Sequence, residues 1–291
     1  MSETLTLSPS AQALLRFRRD WFSFACGVFV LAVAAAALLA PLIVPHDPSD
    51  SDLLRRLQPP AWMAGGDWAF PLGCDGLGRD VLSRLIYGAR ISLGIGVGVV
   101  VMSTLIGTIA GALAGFSRGV VDAVLSHVAD VLLGFPYLVF AIGLMGMMGP
   151  GIFNIVLTLV LKEWVVSFRV VRGEMLGARE LDYVEAARAL GCSRLRIVFG
   201  EVLPNILSPV LVVATTRIAS VIIMEASLSF LGLGVQAPAV SWGGMVSDGQ
   251  DFMPDGWWVA TMPGLAILLL VLAINLASQG MREAFDPRLH R

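Results

Sequence analysis

The sequence predicts an all-α membrane protein, and three observations support this fold class. Of the 291 residues, 56% are hydrophobic and only 14% are charged. Soluble domains are typically about a quarter charged, and the mean hydropathy of +0.79 is correspondingly high. The apolar residues also cluster in runs of roughly 20 or more, the length an α-helix needs to cross about 30 Å of hydrocarbon. Lipid is therefore the expected solvent for much of the surface.

Six apolar runs predict six transmembrane helices. A long uncharged run after residue 130 is divided at Gly149-Pro150-Gly151, because proline and glycine together disfavour a continuing helix. The predicted spans are 21–44, 91–116, 121–148, 152–171, 205–230 and 259–281. A tail at 1–20 and a membrane domain at 21–291, with a loop at 172–204, complete the predicted organisation.

The distribution of arginine predicts the orientation. Cytoplasmic loops of membrane proteins carry an excess of lysine and arginine. The predicted loop between the fifth and sixth spans has no cation, only Asp248, Asp251 and Asp255. Both termini are therefore expected inside, although the loop after the first span also contains arginines. On this orientation the inner segments carry Arg16, Arg18, Arg19, Arg118, Arg172, Arg179, Arg188, Arg194, Arg196, Arg282, Arg288 and Arg291.

Glycines recur at four-residue spacing in the second predicted span. They form two rows, one of Gly94 and Gly98 and one of Gly107, Gly111 and Gly115. Small residues at this spacing let helix backbones approach closely inside a membrane. We interpret the rows as packing sites within this chain, with a seam to a second subunit as the alternative.

The loop at 172–204 is polar and rich in arginine, although apolar runs flank it. Asp182 is placed to cap a short helix over 183–190, and Glu185 follows three residues later, as in a capping box. Gly191 stands where a helix commonly ends in a left-handed conformation. Ser193 is placed to start a second helix that leads into the fifth span. The spacing therefore predicts a stiff helix-turn-helix outside the membrane.

Three segments of the chain resemble one family of transporters. The loop contains Glu185-Ala186-Ala187, then Gly191 and Leu203-Pro204, which resembles the coupling loop of ABC importer permeases. The segment PLGCDGLGRDVLSRLIYGAR at 71–90 resembles the family's approach to the second span, and EASLSFLGLG at 225–234 resembles its exit from the fifth. The chain is identified as similar to the second permease of dipeptide, oligopeptide and nickel-type ABC importers over about 21–291.

The resemblance implies a type I ABC importer permease fold and a set of partners. It implies a homologous second permease, two ABC ATPase subunits and a substrate-binding protein, with the chain spanning the inner membrane several times and both termini in the cytoplasm. ATP and magnesium would be bound by the ATPases, so this subunit is expected to hold no cofactor or metal and to be no enzyme. The implied coupling residues are Glu185, Ala186, Ala187, Arg188, Gly191, Leu203 and Pro204.

Several charged residues fall inside the predicted spans. An unpaired charge near mid-bilayer costs roughly 3 kcal/mol or more, so these residues must face protein or a water-filled path. One interpretation is a polar lining for zwitterionic or charged cargo; the other is interhelical pairing, and the sequence leaves both open. The candidate path residues are Asp122, His127, Asp130, Lys162, Glu163, Arg217 and Glu225.

The predicted function is one half of the translocation pore of an ATP-driven peptide importer. Nickel, glutathione or a metal chelate is the alternative cargo for the same role. A transporter driven by an ion gradient is less favoured, because it does not explain the loop at 172–204. The chain has no GxxxxGK[ST] phosphate-binding pattern, no catalytic constellation, and no basic block that would indicate nucleic acid.

Overall fold

The computed structural model describes residues 17–18, 20–117 and 119–285. Most of the predicted tail at 1–20 lies outside the described residues, as do Arg118, Arg288 and Arg291. The described chain is helical, and its β-type pairing is an isolated bridge between Cys74 and Asp80. The helices are α1 (Trp21–Leu38), α2 (Ala40–Ile43), α3 (Val81–Ser117), α4 (Val120–Gly134), α5 (Tyr137–Met148), α6 (Ile152–Ala178), α7 (Asp182–Ala189), α8 (Arg194–Arg196), α9 (Leu203–Phe230), α10 (Trp242–Gln250) and α11 (Trp258–Phe285), with a 3₁₀ turn at Leu53–Arg55.

Helices lie at all six positions where the sequence predicts spans. The helices α1 and α3, the segment Arg194–Phe230 and most of α11 are each long and apolar enough to cross a membrane, with mean hydropathies of 2.2, 2.1, 2.0 and 2.3. Helices α4 and α5 qualify together as one broken span. Among the described residues the number of such spans is thus four, or five with the bent pair. Helix α6 carries charged residues and does not qualify by composition, so the crossing at 152–171 stays a prediction.

The helices differ from the predicted spans in several places: α6 runs to Ala178, seven residues past the predicted end of its span, and two larger differences follow. Helix α3 begins at Val81, ten residues before the predicted span, because Asp80 accepts hydrogen bonds from the Ser83 backbone N–H (3.1 Å) and hydroxyl (2.5 Å) at its start. The predicted span at 121–148 is broken by a 95° bend between α4 and α5. Pro136 lies at this break, where it lacks an N–H and disfavours a helical conformation of Phe135.

The described chain divides into two compact units, and the first contains residues up to Leu93 and from Pro238 onward. Within it, α11 packs against α1 and α10. Two buried tryptophans fix the connecting segments: Trp258 Nε1 donates to the Cys74 carbonyl (3.1 Å) and Trp242 Nε1 to the Leu85 carbonyl (2.8 Å). Both tryptophans are therefore part of the core of this unit.

A buried polar network holds the long segment between α2 and α3. The Asp75 carboxylate accepts from Arg79 Nε at 2.7 Å and lies 3.4 Å from Arg84 Nε. Arg84 also reaches Asp248 in α10 at 3.4 Å. Burial raises the pKa of the neighbouring Cys74 thiol to about 12, with Asp80 and Asp75 adding to the shift. Cys74 is thus held as a neutral thiol.

The second unit spans Gly94–Ala237, and a glycine row holds two of its helices together. A Cβ atom added at Gly107 would lie 2.8 Å from Ser167 Cβ of α6, and one at Gly111 would lie 2.6 Å from the Phe168 carbonyl oxygen. Gly115 is equally close to Met175. These contacts confirm close helix packing within the chain for this row. At Gly94 or Gly98, such an atom would have no described residue outside its own stretch of helix within 4 Å.

We predict that Gly111→Val destabilises the protein, because the added side chain would push the α3 backbone away from α6. Overpacking of this kind typically costs about 1–3 kcal/mol. Gly98→Val is the matched control, since it makes the same change in the same helix where the chain leaves open space. Thermal unfolding of the two purified variants in detergent measures the difference. Equal melting temperatures would show that α3 and α6 are not in close contact at Gly111.

Candidate functional site

The loop between α6 and α9 contains the short helix α7, which begins one residue earlier than predicted. The residue before it is Leu181, in an extended conformation, and no side chain caps the helix. The predicted capping box is wrong, because Asp182 is already the first helical residue. Asp182 and Glu185 instead lie in the first turn, where carboxylates interact favourably with the helix dipole.

The end of α7 follows the prediction. Gly191 has a φ of +78°, its N–H donates to the Arg188 carbonyl at 3.0 Å, and the Cys192 N–H donates to the Ala187 carbonyl at 3.1 Å. This pair of hydrogen bonds is a Schellman motif, which needs a left-handed residue and therefore favours glycine. The motif ends α7 sharply and fixes the direction of the next segment.

One face of α7 is anchored to the helices around it. Val184 is completely buried in a cluster with Val171 and Met175 of α6 and Ile197 of the following segment. Ala187 and Leu203 pack against the same cluster from its edge. Before α7, Arg179 is buried and donates from Nη1 to the Gly115 carbonyl at the end of α3 (3.0 Å). A movement of α7 must therefore move the ends of the neighbouring helices.

The opposite face of α7 is open. Leu190 and Leu195, on either side of Gly191, are 84% and 63% exposed. Large apolar side chains exposed together in a polar segment commonly mark a protein contact. Sequence reasoning missed these two leucines, although their position in a charged loop was a usable signal. Of the predicted coupling residues, those exposed are Glu185, Ala186, Arg188, Gly191 and Pro204.

The connection from α7 to α9 contains a feature that the sequence did not predict. Ser193 starts the next helix as expected, its hydroxyl accepting from the Arg196 N–H at 3.4 Å. The chain then forms a π-helix at Ile197–Val202 and continues directly into α9, with Pro204 in the first turn. π-helical turns are rare and occur frequently at functional sites. No break separates this connection from the apolar helix that follows.

Three charged residues form a cluster near the middle of α6 and α9. Arg217 binds Glu163 with two hydrogen bonds, Nε to Oε2 at 2.8 Å and Nη2 to Oε1 at 2.7 Å. The Glu163 side chain is 2% exposed and that of Arg217 is 30% exposed. The pair therefore joins α6 to α9, with the Glu163 side chain buried and the Arg217 side chain partly exposed.

Lys162 contacts the bend between α4 and α5, whereas its neighbour Glu163 contacts α9. Its buried ammonium donates to the carbonyl oxygens of Leu132 and, at 2.8 Å, of Phe135. These carbonyls end α4 at the bend, where the helix can offer them no partner of its own. The ammonium also lies 5.7 Å from the centroid of the Phe140 ring, a cation–π distance. Lys162 thus stabilises the broken span.

The remaining candidate path residues have partners of their own, with one exception. Asp122 accepts from Arg172 Nε and Nη2 at 2.5 and 2.9 Å, and Asp130 accepts from Arg169 at 2.7 Å. Interhelical pairing between α4 and α6 thus accounts for both aspartates. Glu225 is completely buried and accepts from the Ser229 hydroxyl at 2.7 Å. His127 is exposed and has no hydrogen bond within the described residues.

The apolar helices, the broken span and the anchored loop helix define the class of protein: a multi-pass helical membrane protein. The chain belongs to the family described as binding-protein-dependent transport system inner membrane component, whose model matches residues 107–291. A second model, the N-terminal TM domain of oligopeptide transport permease C, matches residues 8–60.

Similar proteins cover nearly the whole chain. The di/tripeptide permease DppC of Pseudomonas aeruginosa (strain UCBPP-PA14) is 42% identical over 90% of this chain and 86% of its own. The dipeptide permease DppC of Haemophilus influenzae is 37% identical over 99% of each chain, and that of Escherichia coli K12 is 41% identical over 99% and 96%. The protein is a transmembrane permease subunit of an ABC importer.

Solved structures show the same fold. An inward-facing structure of the MetNI methionine ABC transporter matches with a TM-score of 0.55 at 19% identity, over 70% of this chain and 96% of that one. An amino acid ABC transporter matches with a TM-score of 0.53 at 18% identity, over 69% and 94%. The predicted type I ABC importer permease fold is confirmed.

Proposed function

We propose that this permease forms half of the translocation pore of an ATP-driven importer of dipeptides and oligopeptides. The observation that carries the proposal is the 37–42% identity to permeases named for peptide transport over almost the full chain. A homologous permease completes the pore, two ABC ATPases bind from the cytoplasm, and a binding protein delivers the peptide from outside. Both termini lie in the cytoplasm, as the arginine distribution predicts.

Helix α7 is the contact for the ATPase in this proposal. Glu185, Ala186, Arg188 and Gly191 lie on its open side, and the exposed Leu190 extends the same surface. Alanine and glycine leave room for a partner to approach closely, and Glu185 can accept a charge-assisted hydrogen bond from an arginine of that partner.

The buried side of α7 would transmit the movement. Val184 and Ala187 pack in the apolar cluster that α6 and the π-helix share, and Leu203 and Pro204 begin α9 directly after the π-helix. When ATP binding draws the two ATPases together, α7 moves with them and carries the ends of α6 and α9. ATP and magnesium stay on the ATPases, and this subunit supplies no catalytic group.

Reconstitution tests the proposal. Proteoliposomes containing both permeases, the ATPases and the binding protein are expected to accumulate a labelled dipeptide only when ATP is supplied. A parallel assembly with a hydrolysis-deficient ATPase is the control. Peptide uptake driven by a proton or sodium gradient without ATPases would contradict the proposal. ATP-dependent import of nickel or glutathione, without import of peptide, would support the importer role but contradict the proposed peptide substrate.

A further inference from the structure

We propose that the Arg217 guanidinium binds the carboxylate terminus of the peptide as it crosses the membrane. This inference rests on the proposed function. It names the group of the peptide that is bound, the terminal carboxylate, and the residue that binds it. Three observations support the inference. The Arg217 guanidinium has N–H donors that Glu163 does not use, the cluster has more cations than carboxylates, and the nearby aspartates are already paired with other arginines.

The Arg217 guanidinium has an edge that no other described residue contacts by a hydrogen bond. Arginine offers five N–H donors, and Glu163 takes one on Nε and one on Nη2. The other donors, on Nη1 and Nη2, form a second fork of the kind that binds a carboxylate with two parallel hydrogen bonds. Arg217 makes no further hydrogen bond within the described residues, and its side chain is 30% exposed.

The charges of the cluster do not balance. Lys162 and Arg217 are cations, and among the described residues Glu163 is the one carboxylate that pairs with either of them. The Lys162 ammonium is held by carbonyl oxygens, whose dipoles stabilise it without cancelling its charge. An excess positive charge at membrane depth is unfavourable, so a carboxylate arriving beside Arg217 would be attracted. A peptide brings such a group at its C-terminus.

The acidic residues elsewhere on α4 are not free to supply this carboxylate. Asp122 is bound by Arg172, and Asp130 by Arg169. Glu163 itself is buried and fixed on the opposite edge of the guanidinium, so it orients Arg217 without blocking the second fork. Glu163 is therefore a positioning residue, and Arg217 is the group that touches cargo.

Uptake of a dipeptide and of its C-terminal amide by the complete transporter tests the inference. Each cargo is supplied at a concentration that saturates the binding protein, so that the rate reports later steps. The double variant Glu163→Gln/Arg217→Gln replaces the ion pair with two neutral amides, so neither member of the pair is left as a charge without its partner. We expect uptake of the free acid to fall about tenfold or more, as for loss of a charge-assisted hydrogen bond, and uptake of the amide to stay within about twofold.

A second variant separates the contribution of charge from that of the guanidinium geometry. Arg217→Lys keeps the positive charge but loses the two-edged fork, so it is expected to fall between the wild type and the double variant for the free acid. Equal loss of uptake for the free acid and the amide, or no loss for either, would overturn the inference. An equal loss would indicate that the unused N–H donors of Arg217 bind a carboxylate of the partner permease. If the wild type imports neither cargo, the proposed function fails and the inference falls with it.

Discussion

Replacing Gly191 with aspartate is expected to abolish peptide uptake while the protein still folds and inserts. Gly191 adopts a φ of +78° to end α7, and aspartate tolerates this conformation better than most residues. A Cβ atom at Gly191 would have no described residue other than its chain neighbours within 4 Å, so the side chain would project from the surface proposed to receive the ATPase. It would also add a negative charge at the C-terminal end of α7, which the helix dipole disfavours.

The chain contains a matched control for this substitution. Gly232 ends α9 with the same φ of +78° and the same pair of hydrogen bonds, from the Gly232 N–H to Ser229 and from the Leu233 N–H to Leu228. It too has open space around it. Gly232→Asp therefore has a similar backbone cost, but at the C-terminal end of α9, away from α7. Peptide uptake by this variant should remain near wild type. An equal loss of uptake in both variants would show that backbone strain at a helix end, and not the position of Gly191, causes the loss.

Replacing Arg217 with leucine is expected to cause the largest loss of stability among single changes in the charge cluster. It would leave the Glu163 carboxylate buried without its two hydrogen bonds. Removing one partner of a buried ion pair typically costs about 3–5 kcal/mol, because the other charge stays buried without compensation. The double variant Glu163→Gln/Arg217→Gln removes both charges of the pair and should therefore melt above Arg217→Leu.

Unfolding of both variants in detergent, measured at matched protein concentration, gives this comparison. If Arg217→Leu melts with the wild type, Glu163 has another means of stabilisation and the pair does not join α6 to α9. Uptake adds a second result: a folded Arg217→Leu variant that transports normally would remove Arg217 from the path.

The sequence predicted the features that depend on local chemistry. The long apolar runs located α1 and α11, and Gly191 in the sequence between two polar segments predicted the left-handed end of α7. The start of α3 was placed too late because Arg84 reads as a loop residue in a hydropathy profile. In the structure its charge is compensated by Asp75 and Asp248, and the latter contact is formed only in the folded chain.

Features that depend on tertiary contacts were beyond sequence reasoning. The bend at Pro136 is not one of them: the run is apolar on both sides, so hydropathy does not mark the bend, but the proline was a local signal that the prediction of one continuous span overlooked. The pairs Arg172–Asp122 and Arg217–Glu163 join residues 50 and 54 positions apart, which no local spacing rule connects. The π-helix at Ile197–Val202 likewise has no apolar periodicity that distinguishes it from the helix it enters.

Cross-linking from α7 tests most directly whether this helix receives the ATPase. A cysteine at the exposed Ala186, in a background where Cys192 is replaced by serine, would be treated with a short bifunctional thiol reagent in the intact transporter. The account predicts an adduct between this permease and an ATPase subunit, formed from the cytoplasmic side. Labelling of the cysteine only by an impermeant reagent added outside the cell, with no adduct to an ATPase, would contradict it.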